Sequence, residues 1–267
     1  KPSFYNDNEK LKVKESSVLI EKVGWVKIKK NSIPMGSKYS NPRVSFDGKY
    51  WFISVGIEKE QPAIELTGEN IGIDVGIKDL AICSNGMKFK NINKTKVIKK
   101  LEKRLRRLQR RVSRKYLKNK KGEKFAKTCN IIKIEREIRL LYRRLANIRS
   151  NHTHQATNAI VKTKPSRVVM ETLNIKGMVK NKHLSKAIAQ QCLYEFKRQM
   201  QYKCAFNGIE FVEADMWYPS SKTCSKCGHV KPRLSLSERT YVCEECSSVI
   251  DRDFNASINL SRYESVA

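Results

Sequence analysis

The chain has 267 residues, which is enough for one large domain or two modest ones, and its hydrophobic fraction of 40% is enough for a buried core. No run of about 18 apolar residues occurs and no basic start precedes an apolar block, which argues against a membrane span and a secretory signal. Lysine and arginine outnumber aspartate and glutamate by 55 to 26, giving a net charge of +29. This excess predicts a polyanionic partner. Nucleic acid is favoured over an anionic membrane surface, because no helix pairs its basic residues with a face rich in Trp and Phe.

Residues 1–66 are predicted to form a small β-barrel or sheet module of short strands and turns. Two runs, Lys22–Lys30 and Lys49–Glu60, alternate apolar and polar side chains and are rich in aromatic and β-branched residues. Asp47 and Gly48 precede the second run and form a dipeptide that is typical of hairpin turns.

Residues 70–92 are predicted to form three strands in an antiparallel meander, and the first of them contains an acid in an apolar run. Asp74 lies within Ile71–Ile77, between Gly72 and Gly76. A buried carboxylate without a partner costs several kcal/mol or takes up a proton. Asp74 therefore needs a positively charged partner, which could be a basic side chain or a metal ion.

Residues 94–150 predict two helices joined by a turn at Asn119–Gly122. Apolar residues recur at helical spacing and form one seam, at Leu101, Leu105, Leu108 and Val112 and then at Ile131, Ile134, Ile138, Leu141, Leu145 and Ile148. The segment holds 23 Lys and Arg against four Glu, which contributes +19 of the total +29. This charge exceeds what solubility requires, so we expect nucleic-acid phosphates to offset it. The candidate contacts are Arg104, Arg107, Arg110, Arg111, Arg114 and Lys115.

The rest of the chain predicts alternating helices and strands. We expect helices at Thr153–Lys162 and at residues 184–206, and strands at Ser166–Thr172 and Gly208–Asp215. A last helix is predicted at Asp251–Tyr263. Three strands followed by this alternation predict an α/β fold in which helices flank a mixed sheet.

The eight cysteines divide into two groups. Cys224-x-x-Cys227 and, fifteen residues later, Cys243-x-x-Cys246 have the spacing of a closed, structural four-thiolate zinc site, with an iron–sulfur cluster as the alternative. The other cysteines are scattered among apolar and helical neighbours, which is not the pattern of a disulfide scaffold. This usage predicts a reducing compartment, so the expected location is the cytoplasm.

Three acids share an unusual placement at apolar elements. Asp74 lies inside a strand, Glu171 follows the apolar run Val168–Met170, and Asp253 lies where the last helix begins. One such residue alone would be interpreted as a helix cap, a first-turn acid or the partner of a basic side chain. Three together favour oxygen ligands for Mg²⁺ or Mn²⁺, and two such ions could activate a water and stabilise the leaving oxygen of a phosphodiester. Asp251 is the alternative to Asp253 as the third acid.

Four stretches, IGIDVGIKDLAICSNG, VVMETLNIKGM, CSKCG…YVCEEC and DRDFNASINL, together resemble the TnpB family of transposon-associated proteins and the compact Cas12-type effectors related to it. The resemblance covers residues 18–263. It implies a RuvC-like nuclease domain of RNase H fold at residues 67–267, with a helical-hairpin insertion at 94–150 and a zinc ribbon at 220–250. Residues 1–66 resemble part of the wedge domain. In the family a further wedge strand and a helical recognition domain normally precede this region.

The resemblance also implies roles for the candidate residues. Asp74, Glu171 and Asp253 correspond to the three catalytic acids that bind Mg²⁺ or Mn²⁺, and the two cysteine pairs correspond to the zinc ligands of the ribbon. The implied activity is metal-dependent hydrolysis of target DNA under RNA guidance, associated with transposon maintenance. The implied partners are a guide RNA and double-stranded and single-stranded DNA, in a bacterial or archaeal cytoplasm near the nucleoid and not at a membrane.

Two other functions remain open from the sequence. The basic segment at residues 94–150 would also suit a protein that binds RNA and DNA without turnover, such as a repressor. A pure binder, however, has no use for three intact acids. A transposase that acts directly on transposon ends would also use three acids on an RNase H fold.

Overall fold

The computed structural model describes residues 2–29, 33–60, 63–235 and 237–264. The chain forms two compact units: unit 1 comprises Lys1–Gln61 and Lys103–Leu145, and unit 2 comprises Pro62–Glu102 and Ala146–Ala267. The predicted domain boundary between residues 66 and 67 stays a prediction. No helix among the described residues has the length and the hydropathy that crossing a bilayer requires.

Strands and helices alternate along the chain after a strand-rich beginning. In chain order the strands are β1 (Ser3–Tyr5), β2 (Lys12–Val13), β3 (Ser17–Ile20), β4 (Gly24–Lys27), β5 (Tyr39–Phe46), β6 (Trp51–Ile57), β7 (Asn70–Val75), β8 (Asp79–Cys83), β9 (Lys88–Lys90), β10 (Lys120–Lys121), β11 (Lys124–Phe125), β12 (Arg167–Glu171), β13 (Glu210–Ala214), β14 (Thr240–Val242) and β15 (Val249–Asp251). The helices are α1 (Lys96–Lys118), α2 (Cys129–Val161), α3 (Ile175–Lys180), α4 (Ser185–Gln191), α5 (Leu193–Phe206) and α6 (Arg252–Ser261), with a 3₁₀ turn at Ile92–Lys94.

The N-terminal strands of unit 1 form two antiparallel sheets of three strands, in the orders β1-β5-β6 and β2-β3-β4. The turn predicted at Asp47 and Gly48 joins β5 to β6. Gly48 has φ 98°, and Asp47 Oδ1 accepts hydrogen bonds from the N–H groups of Lys49 (2.9 Å) and Tyr50 (2.8 Å). The two predicted runs contain β4 and β6, although Lys30 lies outside the described residues. Because the strands pair as two sheets, a single closed barrel is not confirmed.

In unit 1, the two basic helices are connected through the β10–β11 hairpin. Their predicted apolar seam is buried at Leu105, Leu108, Ile131, Ile134, Leu141 and Leu145. Polar bridges join the helices beside this seam: Gln109 Nε2 donates to Tyr142 Oη (2.7 Å), and Tyr116 Oη donates to Glu135 (2.7 Å). Apolar burial therefore pairs the helices and leaves most of the cations on the outside.

Helix α2 is longer than the sequence pattern indicated. It runs without interruption for 33 residues, from Cys129 to Val161, so the prediction of a separate helix at Thr153–Lys162 is wrong. The Thr153 hydroxyl donates to the Arg149 carbonyl (3.1 Å), and the Thr157 hydroxyl donates to the Thr153 carbonyl (2.9 Å). These bonds satisfy the hydroxyl groups of Thr153 and Thr157 within the helix, so the polar residues around them do not interrupt α2.

The centre of unit 2 is a five-stranded mixed sheet in the order β13-β12-β7-β8-β9, which confirms the predicted mixed α/β class. Strand β12 pairs in parallel with both β7 and β13, whereas β7, β8 and β9 form the predicted antiparallel meander. Side chains alternate between the two faces of the sheet. Ile71, Ile73 and Met170 share a core with α2, α4 and α5. Leu260 of α6 packs instead with Val169.

Helix α6 lies directly against β7, and Gly72 makes this approach possible. A Cβ atom at position 72 would lie 2.0 Å from the carbonyl oxygen of Ser257 and 2.3 Å from the backbone nitrogen of Ser261, both in α6. Any residue other than glycine would push the helix away. Asp74 is two residues further along β7 and therefore lies on the same face as α6.

The long helix predicted at residues 184–206 is two helices, α4 and α5, because the chain breaks at Cys192. Cys192 has φ 58° and ψ 38°, the left-handed conformation that ends a helix. Ile188 before the break and Leu193 and Phe196 after it all enter the same core. The apolar pattern therefore continues across the break, and the periodicity could not reveal it.

Candidate active site and cysteine cluster

The three acids predicted from the sequence line one cavity at the edge of the unit 2 sheet. Because β7 and β12 are parallel, their carboxyl ends lie together, and Asp74 and Glu171 are at those ends. Gly72 and Val169 face α6. Asp74 lies two residues after Gly72, and Glu171 lies two residues after Val169, so both acids face α6 as well. Asp253 lies in the first turn of α6. The cavity that all three line has a volume of about 720 Å³.

The carboxyl groups of Asp74 and Glu171 lie close enough to perturb each other's pKa. Burial raises the pKa of Asp74 well above its usual value, and the charges of Glu171 and Asp253 raise it further. Burial also raises the pKa of Glu171 to about 7, although the hydrogen bond from the Val75 N–H opposes this. Burial and mutual repulsion therefore favour the protonated form of this pair more than that of an isolated carboxyl group. A divalent cation would reverse this preference, because its charge favours both ionised carboxylates.

Asp253 is held by two arginines. Arg252 donates to its Oδ1 from Nε (3.3 Å) and from a terminal nitrogen (3.2 Å), and Arg239 approaches its Oδ2 at 3.9 Å. Asp251 is the residue that caps the helix, because its Oδ1 accepts hydrogen bonds from the N–H groups of Asp253 and Phe254. The capping interpretation thus applies to Asp251. Sequence reasoning missed Arg239, because only the fold brings the cysteine segment beside the acids.

The three acids perturb one another, but they do not form a tight set of ligands. Among the described residues, the cysteines are the only group of three or more potential ligands whose donor atoms all lie within 4.8 Å of one another. Arg252 and Arg239 supply the positive charge beside Asp253. The cavity nevertheless offers carboxylate oxygens, which are the ligands that Mg²⁺ and Mn²⁺ prefer while they retain several waters. The donor set therefore fits these ions.

The four predicted cysteines converge on one point. Cys224 Sγ lies 3.7 Å from Cys246 Sγ, and Cys227 Sγ lies 3.5 Å from Cys243 Sγ. Zn–S bonds of about 2.3 Å in a tetrahedron separate the sulfurs by about 3.8 Å, so the cluster has the size of a four-thiolate zinc site. Gly228 has φ 80° and lets the first pair turn tightly, with its N–H donating to the Cys224 carbonyl (2.9 Å).

Two buried asparagines of α6 bind the segment that carries the first cysteine pair. Asn255 Oδ1 accepts from the Ser225 N–H (2.9 Å), and Asn255 Nδ2 donates to the Thr223 carbonyl (2.7 Å). Asn259 Nδ2 donates to the carbonyls of Ser220 (2.8 Å) and Thr223 (2.6 Å). The helix that carries the third acid is thereby fixed to the cysteine segment. Sequence reasoning missed both asparagines, although two amides four residues apart on a buried helix face are a signal of such a role.

Substitution of Asn255 by alanine should destabilise unit 2. The change leaves the partly buried Ser225 N–H without an acceptor and removes one of the two donors to the Thr223 carbonyl, so we expect a loss of about 1–3 kcal/mol in the free energy of unfolding. Urea unfolding of the whole chain measures this loss. Asn207→Ala is the matched control, since it removes a single bond to the Lys203 carbonyl at a helix end and should cost less. Equal stability of Asn255→Ala and wild type would contradict the role assigned here.

Gln191, the last residue of α4, fixes the loop that follows Asp74. Its Nε2 donates to the Gly76 carbonyl (2.9 Å), and its Oε1 accepts from Asn93 Nδ2 (3.2 Å). The residue is 4% exposed, so these bonds satisfy an amide that water does not reach. Sequence reasoning could not find this residue, because its two partners are about 100 positions away in the chain.

Five of the six predicted nucleic-acid contacts form one concave basic surface on α1. An open cavity of about 430 Å³ is lined by Arg107, Arg110, Arg111, Arg114, Lys115 and Lys118. Arg104 is not part of this lining and pairs instead with Glu137 (3.4 Å). A surface lined by cations alone is complementary to a phosphate backbone.

Two family models match the chain without overlapping. The model described as "Probable transposase" matches residues 52–182, which include Asp74 and Glu171. The model described as "Cas12f1-like, TNB domain" matches residues 194–260, which include Asp253 and the four cysteines. Both candidate sites therefore lie within matched regions.

Relatives with similar sequences occur in several bacteria. A protein of Streptomyces pristinaespiralis is 34% identical over 229 residues, which is 85% of this chain and 54% of that protein. InsQ of Escherichia coli K12 is 29% identical over 272 residues, which is 96% of this chain and 64% of that protein. Both names begin "Putative RNA-guided DNA endonuclease". A TnpB-like protein of Aquifex aeolicus is 34% identical over 97 residues, 34% of this chain and 31% of that protein. This chain thus spans less than two thirds of each of these relatives.

Two solved structures have a similar fold. The Cas12f1–sgRNA–target DNA complex matches with a TM-score of 0.50 at 20% identity, over 82% of this chain and 55% of that chain. The CRISPR-Cas12f ternary complex matches with a TM-score of 0.51 at 20% identity, over 92% of this chain and 51% of that chain. At this identity the match shows the fold alone. The two family models and the relatives that match most of this chain's length show that it resembles the TnpB family and proteins named RNA-guided DNA endonucleases.

Proposed function

We propose that this protein is an RNA-guided DNA endonuclease that hydrolyses phosphodiester bonds with divalent metal ions held by Asp74, Glu171 and Asp253. The observation that carries the proposal is that these acids, from three distant parts of the sequence, line one cavity. The names of the relatives and the RNA and DNA in the titles of the similar structures support the guided reaction. The association with transposons is supported by the description of the first family model.

The residues of the cavity suit phosphodiester hydrolysis. When bound, Mg²⁺ or Mn²⁺ would activate the attacking water and stabilise charge on the phosphate. Gln191 fixes the backbone just after Asp74. Arg252 and Arg239 line the same cavity, and their guanidinium groups favour an anionic phosphate there.

We assign the cysteine cluster to one structural zinc ion. Four thiolates complete a tetrahedron and leave no position for a substrate, so this site has no direct part in the chemistry. Its contribution is to hold the segment to which Asn255 and Asn259 bind. An iron–sulfur cluster would require the same four thiolates, and metal analysis of the purified protein distinguishes the two.

The basic surface on α1 is proposed to bind the phosphates of the RNA. Replacing Arg110 and Arg114 together by glutamine should weaken RNA binding and reduce the salt dependence of the affinity. Each lost phosphate contact of a single strand lowers the slope of log K against log salt by about 0.7, so we expect a change of about 1.4. Titrations of a labelled RNA at four KCl concentrations measure both effects.

The matched control for that pair is the double replacement of Lys226 and Arg233 by glutamine. These residues are also exposed and basic, and the change in net charge is the same. We expect this control to leave the slope close to that of wild type. Equal changes of slope in the two double variants would show that only total charge matters and would contradict a specific surface on α1.

The experiment that tests the function is a cleavage assay with the RNA that copurifies with the chain. The protein should cut double-stranded DNA that carries a sequence complementary to this RNA, and it should stop cutting after the RNA is removed with ribonuclease. Cleavage of transposon ends without RNA would instead support a transposase. Tight RNA binding with no metal-dependent product would support a binding protein without turnover.

A further inference from the structure

A second cavity of about 260 Å³ lies on the other side of Glu171 and has no part in the chemistry proposed above. It shares Val75, Glu171, Leu173 and Leu193 with the acid cavity, so the two cavities are adjacent. Anything bound in the smaller cavity would therefore lie next to the carboxylates. A phosphate bound at the acids has a sugar and a base on each side along its strand, and the smaller cavity is adjacent to the acids.

The interior of the small cavity is apolar. Met170 and Leu193 are buried in the main core of unit 2, and Leu173 and Ile175 are partly buried against it. These side chains form an apolar surface that can accept a flat group, and Glu171 and Asn174 add polar groups to the lining. The small volume suits one planar ring system and does not suit a base pair or a duplex.

Tyr194 stands at the rim of this cavity with an exposed ring. It is 67% exposed, and it follows Leu193 in the first turn of α5, immediately after the break at Cys192. The half-buried ring of Tyr202 on the same helix has a partner, since it packs edge-on against Phe206 with ring centroids 5.6 Å apart. Among the described residues Tyr194 has no such ring partner. A tyrosine ring in this setting can stack on a base at a small entropic cost.

The positive charges at the rim of this cavity favour the phosphates of a nucleic-acid strand. Lys176 is exposed, and Lys197 lines the cavity while its Nζ lies 2.5 Å from Glu213. Lys176 is therefore the better candidate for a backbone contact, and Lys197 mainly fixes the helix. An apolar interior, one exposed aromatic ring and a cation at the rim are the features by which proteins bind single-stranded nucleic acid.

We propose that this cavity is a subsite for one unpaired nucleobase of the strand that is cut, with Tyr194 stacking on that base. The inference rests on the proposed function, because that function places the scissile phosphate in the acid cavity, beside the smaller cavity. It goes beyond that function by requiring the strand to be locally unpaired at the nucleotide beside the scissile phosphate. The residue acts by binding the substrate and has no part in the bond-breaking step.

Binding of short single-stranded DNA tests the subsite. The whole chain carrying Asp74→Asn, which prevents cleavage, is titrated with a set of oligonucleotides in which each position in turn lacks its base. In the parent protein, one position should be sensitive, and loss of its base should weaken binding about tenfold, as stacking of a single base does. Tyr194→Ala should weaken binding of the intact oligonucleotide by a similar factor. At the sensitive position, the two losses should not add, because each removes the same contact.

Two further variants make the test specific. Tyr194→Phe keeps the ring and should bind as the parent does, whereas Phe206→Ala, at the other end of α5 and outside the cavity, should leave the affinity unchanged. Additive losses at every position, or an equal loss in Phe206→Ala, would overturn the subsite.

The subsite and the nuclease assignment can fail separately. A chain that binds with one base-sensitive position but never cleaves guided DNA would refute the nuclease assignment and leave the subsite in place. A chain that cleaves guided DNA while Tyr194→Ala binds and cuts like wild type would refute the subsite alone. Tighter binding of a peptide than of DNA at this cavity would also overturn it.

Discussion

Asp74→Asn should abolish DNA cleavage and should also stabilise the protein in buffer without magnesium or manganese. The first effect follows from the loss of a metal-binding carboxylate, which removes several kcal/mol of transition-state stabilisation, or at least about 10³-fold in rate. The second follows from the cavity itself. Asparagine has the size of aspartate but carries no charge, so it removes the repulsion that raises the pKa of Asp74 beside Glu171.

The pH dependence of this stabilisation has a definite sign. An acid whose pKa is raised in the folded state binds more protons when folded than when unfolded, so stability falls as the pH rises. For Glu171, the fall should extend from its ordinary value of 4.5 to about 7. Wild type in buffer without divalent cations should therefore lose a few kcal/mol across this range. Asp74→Asn should lose less stability across this range, because the substitution removes the carboxyl group that is coupled to Glu171.

These effects are measured by the melting temperature between pH 4 and pH 8, with and without Mn²⁺. A concentration of 5 mM is about a saturating amount for such sites. Mn²⁺ should raise the melting temperature of wild type near neutral pH and should have little effect on Asp74→Asn. A variant that cleaves guided DNA like wild type, or that gains as much stability from Mn²⁺, would contradict the assignment of Asp74.

Asp251→Asn is the matched control for the third acid. Asparagine caps helices as well as aspartate does, so the α6 N-terminus should be preserved. Cleavage at close to the wild-type rate would support Asp253 as the third acid. Loss of cleavage with an intact fold would transfer that role to Asp251.

Cys224→Ser should release the zinc and unfold the cysteine segment. Structural zinc in small four-ligand sites contributes on the order of 10 kcal/mol to folding, because the ligands are organised only when the metal is bound. The zinc content should fall from about one per chain to nearly none. We expect proteases to cut near residues 226–248 in the variant and not in wild type. Because Asn255 and Asn259 bind the same segment, cleavage of guided DNA should also be lost.

Cys129→Ser is the control for the zinc experiment. Cys129 is exposed at the start of α2 and lies outside the cluster, so its replacement should change neither the zinc content nor the protease pattern. Retention of zinc by Cys224→Ser would show that three cysteines suffice. Loss of zinc from both variants would indicate that general destabilisation, and not the loss of a ligand, releases the metal.

Local patterns in the sequence determined the elements and the residue types of both candidate sites. Short apolar runs around Asp74 and Glu171 predicted the strands that carry them, and the spacing of the two cysteine pairs predicted the convergence of four sulfurs. These signals are local, because apolar runs and Cys-x-x-Cys turns are properties of a few consecutive residues. The basic face of α1 was visible for the same reason, since helical periodicity places its arginines on one side.

The tertiary structure alone decided how these elements end and which groups surround the acids. The unbroken course of α2 and the break at Cys192 depend on hydrogen bonds and core packing that leave the apolar period unchanged. Arg239, Asn255 and Gln191 act on partners that the fold, and not the chain, brings near. The raised pKa of Asp74 is likewise a property of the assembled cavity, because burial and neighbouring charge exist only when strands and helix have come together.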